Sequence, residues 1–114
     1  MELVESEPVN EVTLVGKVSR APAERVLPSG DRLWTFRVVV PRPVGRGRSG
    51  QVDALDCAVW GGRVRRSVRV WREGDLVEVT GAMRRRFFRT PAGAASRVEV
   101  EVSSGRLLRR AASA

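Results

Sequence analysis

The run from Gly74 to Thr90 constrains this chain most. It opens as a half-buried strand, with Leu76, Val77, Val79 and the β-branched Thr80. It then passes into Arg84-Arg85-Arg86-Phe87-Phe88-Arg89. A strand that only closes a core has no use for four guanidinium groups around two aromatic rings. A surface for single-stranded nucleic acid uses both: cations for the phosphates and flat rings for stacked bases. The alternative is a solvated, charged hairpin end, with Phe87 or Phe88 folded back onto the core.

The rest of the composition narrows the class. At 114 residues, 42 % hydrophobic and 30 % charged, the chain fits one globular domain with one core. No apolar run approaches the roughly 20 residues of a membrane span. The acidic start, Met1 to Glu7, does not resemble a secretory leader. A lone Cys57 allows no internal disulfide, which fits a cytoplasmic, nucleoid-associated protein. The formal charge is +8 and Lys17 is the only lysine, so the partner is expected to be a polyanion held by arginine. With no histidine at all, the common nucleophilic triads and the commonest metal ligand are excluded. One cysteine makes no thiolate zinc site. The expectation is a binding protein rather than an enzyme, with no catalytic residues, metal or cofactor.

Residues 1–9 read as a flexible acidic lead-in. Val12, Leu14, Gly16 and Val18 alternate as a strand, which Ala21-Pro22-Ala23 is expected to break before an extended Glu24 to Leu27. Pro28-Ser29-Gly30-Asp31 is a turn. Arg32 to Val40 is a second strand, with Trp34, Phe36, Val38 and Val40 on one face and Leu33, Thr35, Arg37 and Val39 on the other. Trp34 is assigned to the core or to a subunit contact. Pro41 to Gly50 is a cationic loop whose Arg46 and Arg48 are phosphate candidates, a plain solvated loop being the alternative. Val52 to Trp60 is a third strand, with Trp60 on the face of Ala54, Asp56 and Ala58. Val64, Ser67, Val68 and Trp71 have helical spacing over about two turns, and Trp71 is expected to anchor the core. Pro91 to Ala95 reads as a loop tip. The last strand is Arg97 to Val102, with Val98, Val100 and Val102 inward, and residues 106–114 are a basic tail. Five strands with a short helix between the third and fourth is the order of the OB-fold, an all-β Greek-key barrel that binds oligonucleotides. The domain is placed at residues 10–105.

Four ordered segments then resemble a known family: Asn10 to Val18; Pro28-Ser29-Gly30 followed by Phe36-Arg37-Val38; Cys57-Ala58-Val59-Trp60-Gly61; and Gly74 to Arg84, with Phe88 and Gly93 beyond. Together they are similar to the bacterial single-stranded DNA-binding proteins. The primosomal replication protein N is a dimeric, tail-less relative of these. The resemblance implies sequence-tolerant binding of single-stranded DNA in replication, recombination or repair, without catalysis, and a homo-oligomer, a tetramer rather than a dimer. It places base stacking at Trp60 and Phe88. Lys17, Thr35, Arg37, Arg84, Arg86 and Arg89, with Arg46 and Arg48, complete the candidate contact set. Phe87 is expected to point away and pack.

The departures from the family are specific. Ala54 stands where an aromatic is usual, Asp56 where a basic residue is usual, and Glu11 where one is common. The family's acidic C-terminal tip, which recruits repair enzymes, has no counterpart in Leu107 to Ala114, which carries two arginines and no acid. RNA binding, and an accessory protein-interaction role with weak DNA binding, stay open as alternatives.

Overall fold

The computed structural model describes residues 6–43 and 50–112. Five strands and a helix follow in order: β1 (Val12–Val26), β2 (Arg32–Pro41), β3 (Val52–Val59), α1 (Arg63–Val68), β4 (Leu76–Thr90) and β5 (Gly93–Arg109). The strands close into a barrel in the order β1-β2-β3-β5-β4. All neighbours are antiparallel except β3 and β5, whose short parallel contact pairs Cys57 with Val100 and Ala58 with Glu101. This is the OB-fold.

The period-2 alternation explains the core. Val18, Phe36, Val38, Val77, Val79 and Val100 point inward from their strands. Trp71 is buried beside Phe36, their rings 5.4 Å apart and edge to face, the geometry that ring quadrupoles favour. Trp71 is therefore the core anchor its spacing indicated, and Trp34 packs against the same cluster. Two glycines permit the closure. A Cβ on Gly16 would strike the Val39 carbonyl of β2, and one on Gly81 the Glu101 carbonyl of β5.

Several expected boundaries move. β1 is not broken at Pro22: it runs through to Val26, and register shifts between Val18 and Ala23 absorb the proline. The helix is shorter than two turns. The hairpin tip is only Pro91 and Ala92, with Thr90 opposite Gly93. β5 does not stop at Val102. It continues to Arg109 along β4, so residues 106–109 of the expected basic tail are strand. Val98, expected inward, is exposed. It pairs with Arg85 in the part of the β4–β5 hairpin that projects past the Cys57–Val100 closure as a free arm. Among the described residues no helix is long and apolar enough to cross a membrane.

The end of β5 is held by a buried carboxylate. Asp75 is 0 % exposed. Its oxygens accept the backbone N–H of Arg72 (2.8 Å) and of Ala111 (2.8 Å), and Arg110 Nη1 donates to it at 2.9 Å. Burial alone would raise this carboxyl, but the two N–H groups and the guanidinium outweigh it and hold it below its ordinary 3.8. A carboxylate depressed in the folded state adds stability that is full above 3.8 and is lost as pH falls through the folded value. Asp75→Asn keeps the shape but loses the charge. It is expected to cost about 1–3 kcal/mol in urea unfolding at pH 7. The gap to wild type should narrow as pH falls below 3.8. Equal stability of the two at pH 7 would refute the role given to Asp75.

Candidate nucleic-acid interface

Two hairpins face each other across one side of the barrel. The β1–β2 hairpin turns at Pro28-Ser29-Gly30, where the Leu27 N–H donates to the Asp31 carbonyl at 2.8 Å. The β4–β5 arm turns at Pro91. Between them lies a cleft of about 500 Å³. From the first hairpin it is lined by Arg25, Leu27, Leu33 and Thr35, and from the arm by Arg86, Phe87, Phe88, Arg89, Arg97 and Glu99. A second depression of about 220 Å³ shares Arg25, Thr35, Arg97 and Glu99 with it and adds Arg20, Arg37 and Asp56. The two form one trough.

Its rings are open. Phe88 is 42 % exposed, and the Arg97 guanidinium lies 5.9 Å from the centre of its ring. Trp60, one residue past β3, is 41 % exposed, and the Arg86 guanidinium sits 4.3 Å over its ring. Phe87 is not packed as expected: at 78 % it is the most exposed aromatic of the described residues. The reason is the arm: past the barrel closure nothing of the core covers the Phe87 ring, while Phe88 is partly covered and Glu99 is buried.

Several cations here are already paired. Arg86 Nε lies 2.9 Å from Glu99 Oε1, and Glu99 is only 5 % exposed. Arg37 Nε donates to Asp56 Oδ1 at 2.9 Å. Among the described residues Arg25, Arg89 and Arg97 carry no ion pair. Cys57 adds no chemistry: burial first, then Asp56 and Glu99, push its thiol up to about 12.

Of the ten residues nominated from sequence, the trough collects Phe88, Arg86, Arg89, Thr35 and Arg37, and Trp60 joins them through Arg86. Arg84 does not. It pairs with Glu101 at 3.5 Å and lines a separate groove with Asn10, Glu11 and Thr13. Lys17 is exposed on β1 and borders none of these depressions. Arg46 and Arg48 lie outside the described residues. Arg20, Arg25 and Arg97 were missed. The hairpin register holds the signal for Arg97: with Thr90 opposite Gly93, Arg97 falls opposite Arg86.

Rings and guanidinium groups along one concave trough suit a flexible polyanion whose bases stack. The Single-strand binding protein family matches residues 9–108. Single-stranded DNA-binding protein 3 of Listeria innocua is 32 % identical over 79 residues, which is 68 % of this chain and 49 % of that protein. The single-stranded DNA-binding protein of Thermotoga maritima is 34 % identical over 96 residues, 82 % of this chain and 67 % of that protein. The chain spans about half the length of most of the curated relatives it matches. A solved Plasmodium falciparum SSB complex with ssDNA superposes with a TM-score of 0.71 at 21 % identity, over 93 % of this chain and 98 % of that one. The match runs from just before β1 almost to the end of β5, and the chain belongs to the single-strand binding protein family.

Proposed function

We propose that this chain binds single-stranded DNA without sequence preference, by stacking bases on Trp60, Phe87 and Phe88 and holding phosphates with Arg25, Arg89 and Arg97. The observation that carries this reading is a concave trough with exposed rings along an arginine-lined wall. The family membership supports it, as does the fold shared with a protein solved on ssDNA. A role in replication, recombination or repair follows from the same kinship. Oligo-dT should quench tryptophan emission. Trp60→Ala should remove most of the quench, and Phe88→Ala should weaken binding by about 1–3 kcal/mol. Undiminished affinity in both variants would end the stacking argument.

A second reading is favoured by one specific feature. Asp56 and Glu99 hold Arg37 and Arg86 in ion pairs inside the trough. A phosphate reaching either arginine must displace a carboxylate, so binding is weakened and an accessory role with modest affinity is reasonable. Arg37 and Asp56 are each about one-third exposed, where such a pair stabilises by about 0.2–1 kcal/mol. Asp56→Asn should therefore leave the fold nearly unchanged while tightening oligo-dT binding. It should also steepen the fall of log K with log salt by about 0.7, the value for one more phosphate neutralised. Weaker or unchanged binding in Asp56→Asn would dismiss the idea that the acid restrains Arg37.

The chain is read as a homo-oligomer, a tetramer rather than a dimer. Support comes from the apolar side chains left open at the start of β1, where Val9, Val15 and Met83 are exposed. Asn10 ties this corner to β4, its Nδ2 donating to the Met83 carbonyl at 2.8 Å and its Oδ1 accepting the Met83 N–H at 2.9 Å. Light scattering at micromolar concentration should give a multiple of 12.6 kDa, and Val15→Asp should lower it. A 12.6 kDa species in the wild type contradicts this assignment.

A further inference from the structure

The largest block of unpaired charge lies outside the trough. Residues 61–74 hold Arg63, Arg65, Arg66, Arg69 and Arg72 against Glu73 alone, half of the chain's formal +8. None of the ion pairs among the described residues involves any of them. The contrast with the trough is direct, since Arg37 and Arg86 there are neutralised by neighbours. Arg63, Arg66, Arg69 and Arg72 recur every third residue, and all four are exposed. Val68 and Trp71 lock the segment from beneath, both packed against Gly105 of β5. Asp75, the nearest acid after Glu73, is buried and already bonded to two N–H groups and Arg110. One structural use of these arginines is to complement the C-terminal end of the helix. That accounts for Arg65 and Arg66 in the last turn and for Arg69 at the C-cap, and not for Arg63 or Arg72.

We propose that Arg63, Arg66, Arg69 and Arg72 form a second phosphate-binding track, which takes the single strand as it leaves the trough. The proposal rests on the reading of the trough as a single-strand site. Continuity carries it. Trp60 meets the trough through Arg86, whose guanidinium sits 4.3 Å over its ring, and Gly61 and Gly62, with φ of 126° and 75°, lead the chain from that ring into α1. The six residues of α1 run for about 9 Å at 1.5 Å per residue. The track has arginines and no exposed ring except the edge of the trough itself. It therefore reads phosphates and not bases, and adds affinity only to strands long enough to reach it. An acidic segment of a protein partner would match the charge equally but would have no reason to begin at Trp60.

The test uses the full chain and oligo-dT of two lengths, about 8 nucleotides to fill the trough and about 35 to overrun it, single OB-folds occupying about 4–16. The variant is Arg66→Gln, Arg69→Gln, Arg72→Gln combined, with the three Lys substitutions as a charge-keeping companion. The Gln variant should bind the short strand like wild type and the long strand at least tenfold more weakly at low salt. Its salt slope on the long strand should fall by about 2, at 0.7 for each phosphate given up. The Lys variant should recover most of the loss. Photo-crosslinking of wild type with a carbene-generating diazirine near one end of the long strand should label residues 61–74, a readout that does not depend on any variant folding. Equal loss on both lengths, or no loss on the long strand with no crosslink to residues 61–74, overturns the track. Binding of a poly-glutamate peptide that the Gln variant loses, with both dT strands unaffected, assigns the surface to an acidic protein and also overturns it. Failure of wild type to bind the short strand counts against the trough alone. A long-strand interaction that still weakens in the Gln variant would then leave the track standing.

Discussion

One buried carboxylate decides how the ends of this barrel meet. Asp75 lies where α1 has finished and β4 has not begun. Its side chain receives the Arg72 N–H from the turn after α1 and the Ala111 N–H from beyond β5. Its backbone carbonyl accepts the Val18 N–H of β1 at 2.9 Å, while Gly74 donates to the Val18 carbonyl at 2.8 Å. Three stretches of chain far apart in sequence are fixed by one residue. Because the carboxylate is fully buried, each donor left without it would be a desolvated, unpaired N–H. The interaction is thus all or nothing. It sets where β5 ends, how α1 seats against Gly105, and which way the α1 arginines face.

The same logic separates what the sequence makes legible from what it hides. Alternation over Val12 to Val18, Phe36 to Val40 and Leu76 to Thr80 records which side meets the core, and five strands with a helix between the third and fourth is the element order of the OB-fold. Trp60 and Phe88 could be read because a ring beside arginines, off the apolar parity, has few structural uses. Phe87 could not, because alternation in sequence does not say where the arm leaves the core and that ring loses its cover. Arg20 and Arg25 were hidden by Pro22, which reads as a strand end but sits in a bulge. Arg106 and Arg110 looked like free charge at the end of a tail. Their ion pairs, to Glu78 at 3.2 Å and to Asp75 at 2.9 Å, depend on cross-strand register and on a fold-back that no local pattern records.

Counting charges in the sequence therefore misplaces the electrostatics. The trough holds many of the arginines one would nominate, yet Arg37 and Arg86 arrive there with carboxylates attached, and Arg84 with Glu101 on the neighbouring face. A guanidinium paired at 2.9 Å is still a donor array, but phosphate binding there becomes an exchange of anions rather than a simple gain. The ion pairs also hold the side chains in place. Arg86 sits between Glu99 and the Trp60 ring, and its contact with the ring restricts the ring's orientation.

Such pre-positioning and pre-neutralisation pull in opposite directions on affinity. A ring held still loses less conformational freedom when a base stacks on it. A cation already satisfied releases less free energy when a phosphate replaces its partner. On the proposed reading, the ion pairs at Arg37 and Arg86 would reduce the gain from phosphate contacts at those two residues more than the gain from stacking. The steeper part of the salt response would then come from unpaired guanidinium groups, among them Arg20, Arg25, Arg89 and Arg97 in the trough and the arginines of residues 63–72. On that reading, a short strand meets the rings together with the unpaired arginines of the trough, and only a long strand also reaches the unpaired charge of residues 63–72.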